Sequence, residues 1–179
     1  MNEQLEVLLA EDHESLGKLF TELDGELTNA NVIRGIELLD LFWARLAVPV
    51  RAENLHLFPA LSNVPNLLLT ARDGLPTYEQ AQNVLTRLRS DHDFFMKELA
   101  LAIKAMREMA AREFTSVNEV ELLRIRLTVI KGRLDDHNAI EEEEVYVWPS
   151  LLFDDRTTAA ISERVQHELQ NLPPRFAQI

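Results

Sequence analysis

Four stretches of the chain repeat apolar residues every three or four positions. The first carries Leu5, Leu9, His13, Leu16, Phe20, Leu23 and Leu27, and Asn29, Ala30 and Asn31 end it. The second carries Ile36, Leu39, Trp43, Leu46, Val50, Glu53, Leu57 and Ala60. It stops near Ser62 and Asn63, and a Pro-containing loop runs on to about Pro76. The third carries Leu85, Leu88, His92, Phe95, Leu99, Ala102 and Met106. The fourth carries Val120, Leu123, Leu127, Ile130, Leu134, His137, Glu141 and Trp148, with Thr115 or Ser116 as its N-cap. Residues three and four apart share one face of a helix, so each stretch predicts an amphipathic helix. A shorter fifth segment, about Arg156 to Leu172, ends at Pro173 and Pro174 and is expected on the outside.

Alternating steps of three and four mark the seam of a left-handed bundle. The expected fold is therefore all-α: an up-down-up-down four-helix bundle over about 4–152 with a fifth C-terminal helix over about 156–172. No linker rich in Gly, Ser or Pro divides it, so residues 1–179 are read as one domain. Composition agrees, since only 5 Gly and 7 Pro stand among 179 residues and 46% are hydrophobic. The net charge of −12 disfavours a nucleic-acid partner. No apolar run has the ~18 residues of a membrane span. Met1, Asn2, Glu3 and Gln4 offer no basic opening of a signal peptide, and a cytoplasmic protein is expected. The chain has no Cys, which excludes thiolate zinc sites and iron–sulfur clusters and leaves imidazole and carboxylate as metal donors.

Such donors stand in the apolar seams. His13, His92 and His137, three of the five histidines, and Glu53 put one polar residue on each helix where a Leu is expected. A lone seam histidine is more often a hydrogen-bonded core residue than a ligand. One per helix is a different matter, because burying several such groups without a compensating charge costs kilocalories each. With a rise of ~1.5 Å per residue, His13, Glu53, His92, His137 and Glu141 fall in one layer less than ~10 Å thick. Two pairs reinforce the layer: His137 and Glu141 are spaced i,i+4, and Glu53 and His56 i,i+3, each pair on one helical face. The i,i+3 Glu/His pair is the arrangement of di-iron carboxylate bundles. The two halves also echo each other. Asp12-His13 matches Asp91-His92, and Glu53 through Phe58, Pro59 and Leu61 matches Glu143 through Trp148, Pro149 and Leu151.

On these residues the chain, over roughly 4–152, resembles the hemerythrin-like (HHE cation-binding) domain family as a divergent member. That family places a His on one helix and H-x-x-x-E on the next, then repeats both, and its H-x-x-x-E helices end in a Leu-Phe-Pro-like phrase such as Leu57-Phe58-Pro59. The resemblance implies that His13 and His92 are the single-His ligands, Glu53 a bridging carboxylate, and His137 and Glu141 the H-x-x-x-E pair. Three departures bear on it. Pro49 stands four residues before Glu53, where the family has a His, so His56 is the candidate replacement if the helix bends to present it. Pro149 lies two residues too far from His137, so Glu143 and Glu144 are alternatives to the preferred Glu141. The neighbours one turn either side of His92 are Leu88 and Met96, so a second third-helix His is absent.

The implied cofactor is non-haem iron, two ions in the family arrangement, with one iron or zinc as the alternative. The implied role is binding or sensing of O2, NO or an oxidant, or iron handling. The alternative role is a metal-free or mononuclear bundle acting as a regulatory or interaction module. No general base or nucleophile stands out, so turnover is not expected. His167 reads as a surface or packing residue, Trp43, Trp148 and the Met residues as core, and Tyr146, off the best seam, has no assigned role. Nothing in the pattern fixes an oligomeric state.

Overall fold

The structure, a computed structural model, describes residues 3–64, 75–112, 116–173 and 176. It is all-helical, with no β-strand among the described residues. Helix α1 spans Glu3–Thr28 and ends in a turn where Ala30 takes a left-handed φ of 54°. Helix α2, Val32–Ala52, starts on the side chain of Asn31, which accepts from the Arg34 backbone N–H. It runs through a π-helical segment, Glu53–Leu57, into α3, Phe58–Ser62. Most of the expected Pro-containing loop, 65–74, lies outside the described residues.

Helix α4, Tyr78–Ala110, opens on a Thr77–Gln80 capping box, and α5, Val117–Glu143, opens on a Ser116–Glu119 box. Each box satisfies two backbone donors that the first turn leaves unpaired. Of the two expected N-caps, Ser116 fills the position, and Thr115 lies outside the described residues. After α5 come a 3-10 turn, Val145–Val147, and helix α6, Trp148–Leu152. Helix α7, Asp155–Leu169, is capped by Asp154 and ends three residues short of the expected Leu172.

Helix α1 packs on α2 and α5, α4 packs on the same two, and α7 lies on α2 and the π segment. The apolar interior falls into two clusters. One holds Leu16–Leu27 of α1, Leu38–Val50 of α2, Phe95–Met106 of α4 and Val120–Leu134 of α5. The other holds Leu5 and Leu9, Ala52–Leu61, Ala81–Leu88, Val145–Trp148 and the α7 residues Ile161 and Val165. On α1, α4 and α5 the gap between the clusters falls where the sequence carries His13, His92, or His137 with Glu141, and on the second helix Glu53 follows just after the crossover between Val50 and Ala52. The polar layer thus divides the core.

One part of the expected α2 stripe needs correction. Leu38 and Phe42 are core residues, 2% and 1% exposed, while Ile36 and Trp43 flank the core. The expected stripe holds at Leu39, Leu46, Val50, Glu53 and Leu57, which are all buried, and departs only locally, at Ile36 and Trp43. Trp43 spans the flank, its Nε1–H donating to the Met96 carbonyl at 3.3 Å. Pro49 lies inside α2, which continues through it to Ala52. The rewinding comes later, where the Phe58 N–H reaches back five residues to the Glu53 carbonyl. Pro59 follows at once, and in an unbroken α-helix its ring would meet the Leu55 carbonyl. Widening the winding relieves that clash. Pro149 likewise follows a rewound turn, tightened there to 3-10.

Candidate metal centre

Glu53, His92, His137 and Glu141 are each 3% exposed or less, from three helical elements. They present one donor atom each, all within 4.8 Å of one another. His92 Nε2 lies 3.1 Å from His137 Nε2, 3.2 Å from Glu53 Oε2 and 3.7 Å from Glu141 Oε1. His137 Nε2 lies 3.1 Å from Glu141 Oε1. Four donors held ~2.0–2.2 Å from one ion would stand roughly 3–3.5 Å apart, so these separations suit a shared cation. Although Glu141 Oε1 is close to both imidazoles, it is buried with no hydrogen bond. A buried carboxylate oxygen in that condition is costly unless a positive charge faces it.

The surroundings aim the donors. Asp91, buried at 4% exposure, sits 3.4 Å from His137 Nδ1 through Oδ2. Its Oδ1 accepts from Arg133 Nε and Nη2 at 2.8 and 2.5 Å. A carboxylate on Nδ1 favours the tautomer that leaves Nε2 bare toward the centre. Phe95 meets the His137 ring edge-on at 5.3 Å, and Phe58 stacks on His92 at 5.6 Å and 5°. Sequence reading gave Asp91 a place in the Asp-His repeat and no role of its own. Asp91→Ala is expected to fold and to weaken metal binding by about 10–100-fold, the usual cost of losing an outer carboxylate on a ligating imidazole. Titration with a competing chelator measures it, and unchanged affinity would remove Asp91 from the site.

His13 stands at the edge. Its Nδ1 lies 2.7 Å from Glu142 Oε1, and its Nε2 faces inward, 3.6 Å from Glu141 Oε2. It lines the same small cavity as the four donors, together with Pro49 and Asn138. His56 is not gathered in. Its side chain is 26% exposed and its Nε2 lies 3.9 Å from Glu168 on α7, because the π segment turns it off the Glu53 face. Glu143 and Glu144 are exposed, so Glu141 is the fourth-helix carboxylate at the cluster. His167 is exposed on α7.

Tyr146 is the residue that periodicity missed. It is 1% exposed, and its hydroxyl donates to Glu53 Oε1 at 2.6 Å, with Glu141 Oε2 also in range at 3.0 Å and His13 Nε2 at 3.4 Å. Continuing the α-helix past Glu141 points position 146 away from the centre. The 3-10 turn re-aims it. Burial, then the Glu141 and Glu53 charges, push Tyr146 well above the ordinary phenol range, so it keeps its proton.

Charge balance is carried by His92. Burial works against its protonation, yet the neighbouring Glu141 and Glu53 carboxylates outweigh that and raise it from 6.5 to about 9. Burial likewise opposes ionisation of Glu141, but His137 and His92 hold its pKa below the usual carboxylate range. Without a metal, one imidazolium thus neutralises part of the two carboxylates. Two imidazoles and two carboxylates are donors suited to non-haem Fe(II), and also to zinc or manganese. No family model, curated protein or solved structure matches this chain.

Proposed function

We propose that the protein is a hemerythrin-like non-haem iron protein, an up-down-up-down four-helix bundle whose core metal binds or senses O2, NO or an oxidant. The observation that carries this reading is the buried convergence of Glu53, His92, His137 and Glu141, with Glu141 Oε1 lacking any hydrogen bond among the described residues. The neighbour pairs α1–α2, α2–α4, α4–α5 and α1–α5 are those such a bundle requires. His92 and His137 would hold the ion through Nε2, with Glu53 and Glu141 balancing its charge and His13 the next donor outward. Iron in that setting supplies one-electron redox chemistry and open positions for a small ligand. Asp91 orients His137, and Phe58 and Phe95 keep water from the two rings.

Elemental analysis of protein made in iron-supplemented cells and purified without oxygen tests the reading, with His92→Ala as control. About two irons per chain makes the centre dinuclear, with shared carboxylates. About one makes it mononuclear. A wild type that carries no more metal than the control sinks the proposal. A second reading rests on His92 itself: its proton already offsets the carboxylates, as a metal-free regulatory bundle requires.

The two readings part in their pH dependence. A metal must displace the His92 proton, which the metal-free site holds up to about pH 9. Affinity for Co(II), used as an air-stable probe, should climb about tenfold per pH unit and level off once His92 is neutral. An affinity that ignores pH over that range would show that His92 is not a ligand.

A further inference from the structure

Beyond the donor set, the side of the centre that meets solvent has its own construction. Outside Tyr146 a cleft of about 210 Å³ opens on the surface, lined by Glu6, Val7, Ala10, Glu142 and Tyr146. Tyr146 lines it, and the hydroxyl of the same residue touches Glu53, Glu141 and His13. The apolar clusters seal the centre above and below, and Phe58 and Phe95 cover its imidazoles. Of the residues lining this cleft, Tyr146 is the one whose side chain bonds Glu53 and Glu141, and a 3-10 turn carries it rather than the body of a long helix.

Resting on the metal reading above, we propose that this cleft is the entry path for small neutral ligands and that Tyr146 is its gate. The hydroxyl is held shut by Glu53 and Glu141. When those carboxylates are committed to a cation, the phenol proton is released from them and donates to the molecule that enters. Ala10 and Val7 keep the passage narrow. Glu6 and Glu142 make it anionic, so neutral NO, O2 or hydrogen peroxide pass more readily than an anion such as azide. Tyr146 is therefore a positioning and specificity residue of the centre.

Stopped-flow binding of NO and of azide to the Fe(II)-loaded full chain tests this, with metal content measured on every sample first. Tyr146→Phe should keep its metal and release NO about tenfold faster, the size of one lost hydrogen bond. Ala10→Trp, which fills the cleft without touching a donor, should keep its metal and slow entry of both ligands by about tenfold or more. Glu6→Lys should speed azide and leave NO unchanged. Metal-replete variants with wild-type NO kinetics would overturn the gate, as would loss of metal from Tyr146→Phe, which would make the phenol a prop for the carboxylates. A wild type without metal fails at the elemental analysis, before any ligand is added, and sinks the metal reading itself.

Discussion

Glu141→Ala abolishes metal binding and also lowers the melting temperature of the metal-free protein. Both follow from one carboxylate, 1% exposed, that lies 3.1 Å from His137 Nε2, 3.7 Å from His92 Nε2 and 3.0 Å from the Tyr146 hydroxyl. Removing it leaves the His92 imidazolium with Glu53 alone and opens a hole between the two apolar clusters. Breaking a buried ion pair from one side costs about 3–5 kcal/mol. At ~2–4 °C per kcal/mol for a chain of this size, the midpoint falls by roughly 6–20 °C. The pH dependence has a definite sign. His92 is raised in the folded state, so its contribution is full below 6.5 and is lost as pH rises through about 9. Glu141 is depressed, so its contribution is present above 4.5 and is lost as pH falls through its lowered value. The difference between variant and wild type should therefore be largest between those limits, near pH 5–6. Thermal melts of the chelator-treated proteins measure it. Equal midpoints across that range would mean that the pair contributes nothing to the fold.

The second large effect runs the other way. Pro49→His should add a donor and raise metal affinity or stoichiometry. The two halves of the chain mirror each other here. Arg133, His137 and Glu141 stand at steps of four on α5, and Arg45, Pro49 and Glu53 stand at the same steps on α2. Asp91 serves the first set, with one oxygen on Arg133 and the other toward His137. Asp12 is placed likewise in the second, with Oδ1 3.9 Å from Arg45. Its Oδ2, however, is buried with no hydrogen bond. That idle oxygen corresponds to the one that faces His137 Nδ1. Burial accordingly pushes the Asp12 carboxyl up, against the opposing pull of Arg45 and His13. A histidine at 49 would offer Nδ1–H to Asp12 and turn Nε2 to the cavity that Pro49 already lines. Restoring a backbone N–H inside α2 favours the helix as well. The expected gain is about 10–100-fold in affinity or one further metal per chain, read by chelator competition and elemental analysis. Unchanged binding in a folded variant would break the equivalence of the halves.

What the sequence disclosed and what it hid divide along helical winding. His92, His137, Glu141 and Glu53 stand at steps of three and four among leucines, and wherever the winding stays α that spacing settles the face. Tyr146 and His56 could not be read so. Each lies in the turn beside an aromatic-Pro pair, where the chain winds as 3-10 in one half and as π in the other. The change of pitch brings Tyr146 in and carries His56 out toward Glu168. Trp43 misled for a simpler reason. It is one residue along from Phe42, both are large and apolar, and only packing against Phe20 decides which of them turns inward. Asp91 and Asp12 were visible as neighbours of histidines, but their work depends on Arg133 and Arg45, which reach them across helices.

The π segment has a consequence for register. One surplus residue in a helix separates everything upstream of it from everything downstream by a rotation. Up to Glu53, the second helix keeps the phase of the metal layer. From His56 onward it keeps a different phase, with His56 turned to α7 and Phe58 stacked on His92. Helix α7 bridges that change of phase, since it rests on α2, where Arg51 meets Glu168, as well as on the π segment. The extra residue acts as a vernier: α7 grips the helix on both sides of it while Glu53 enters the core between.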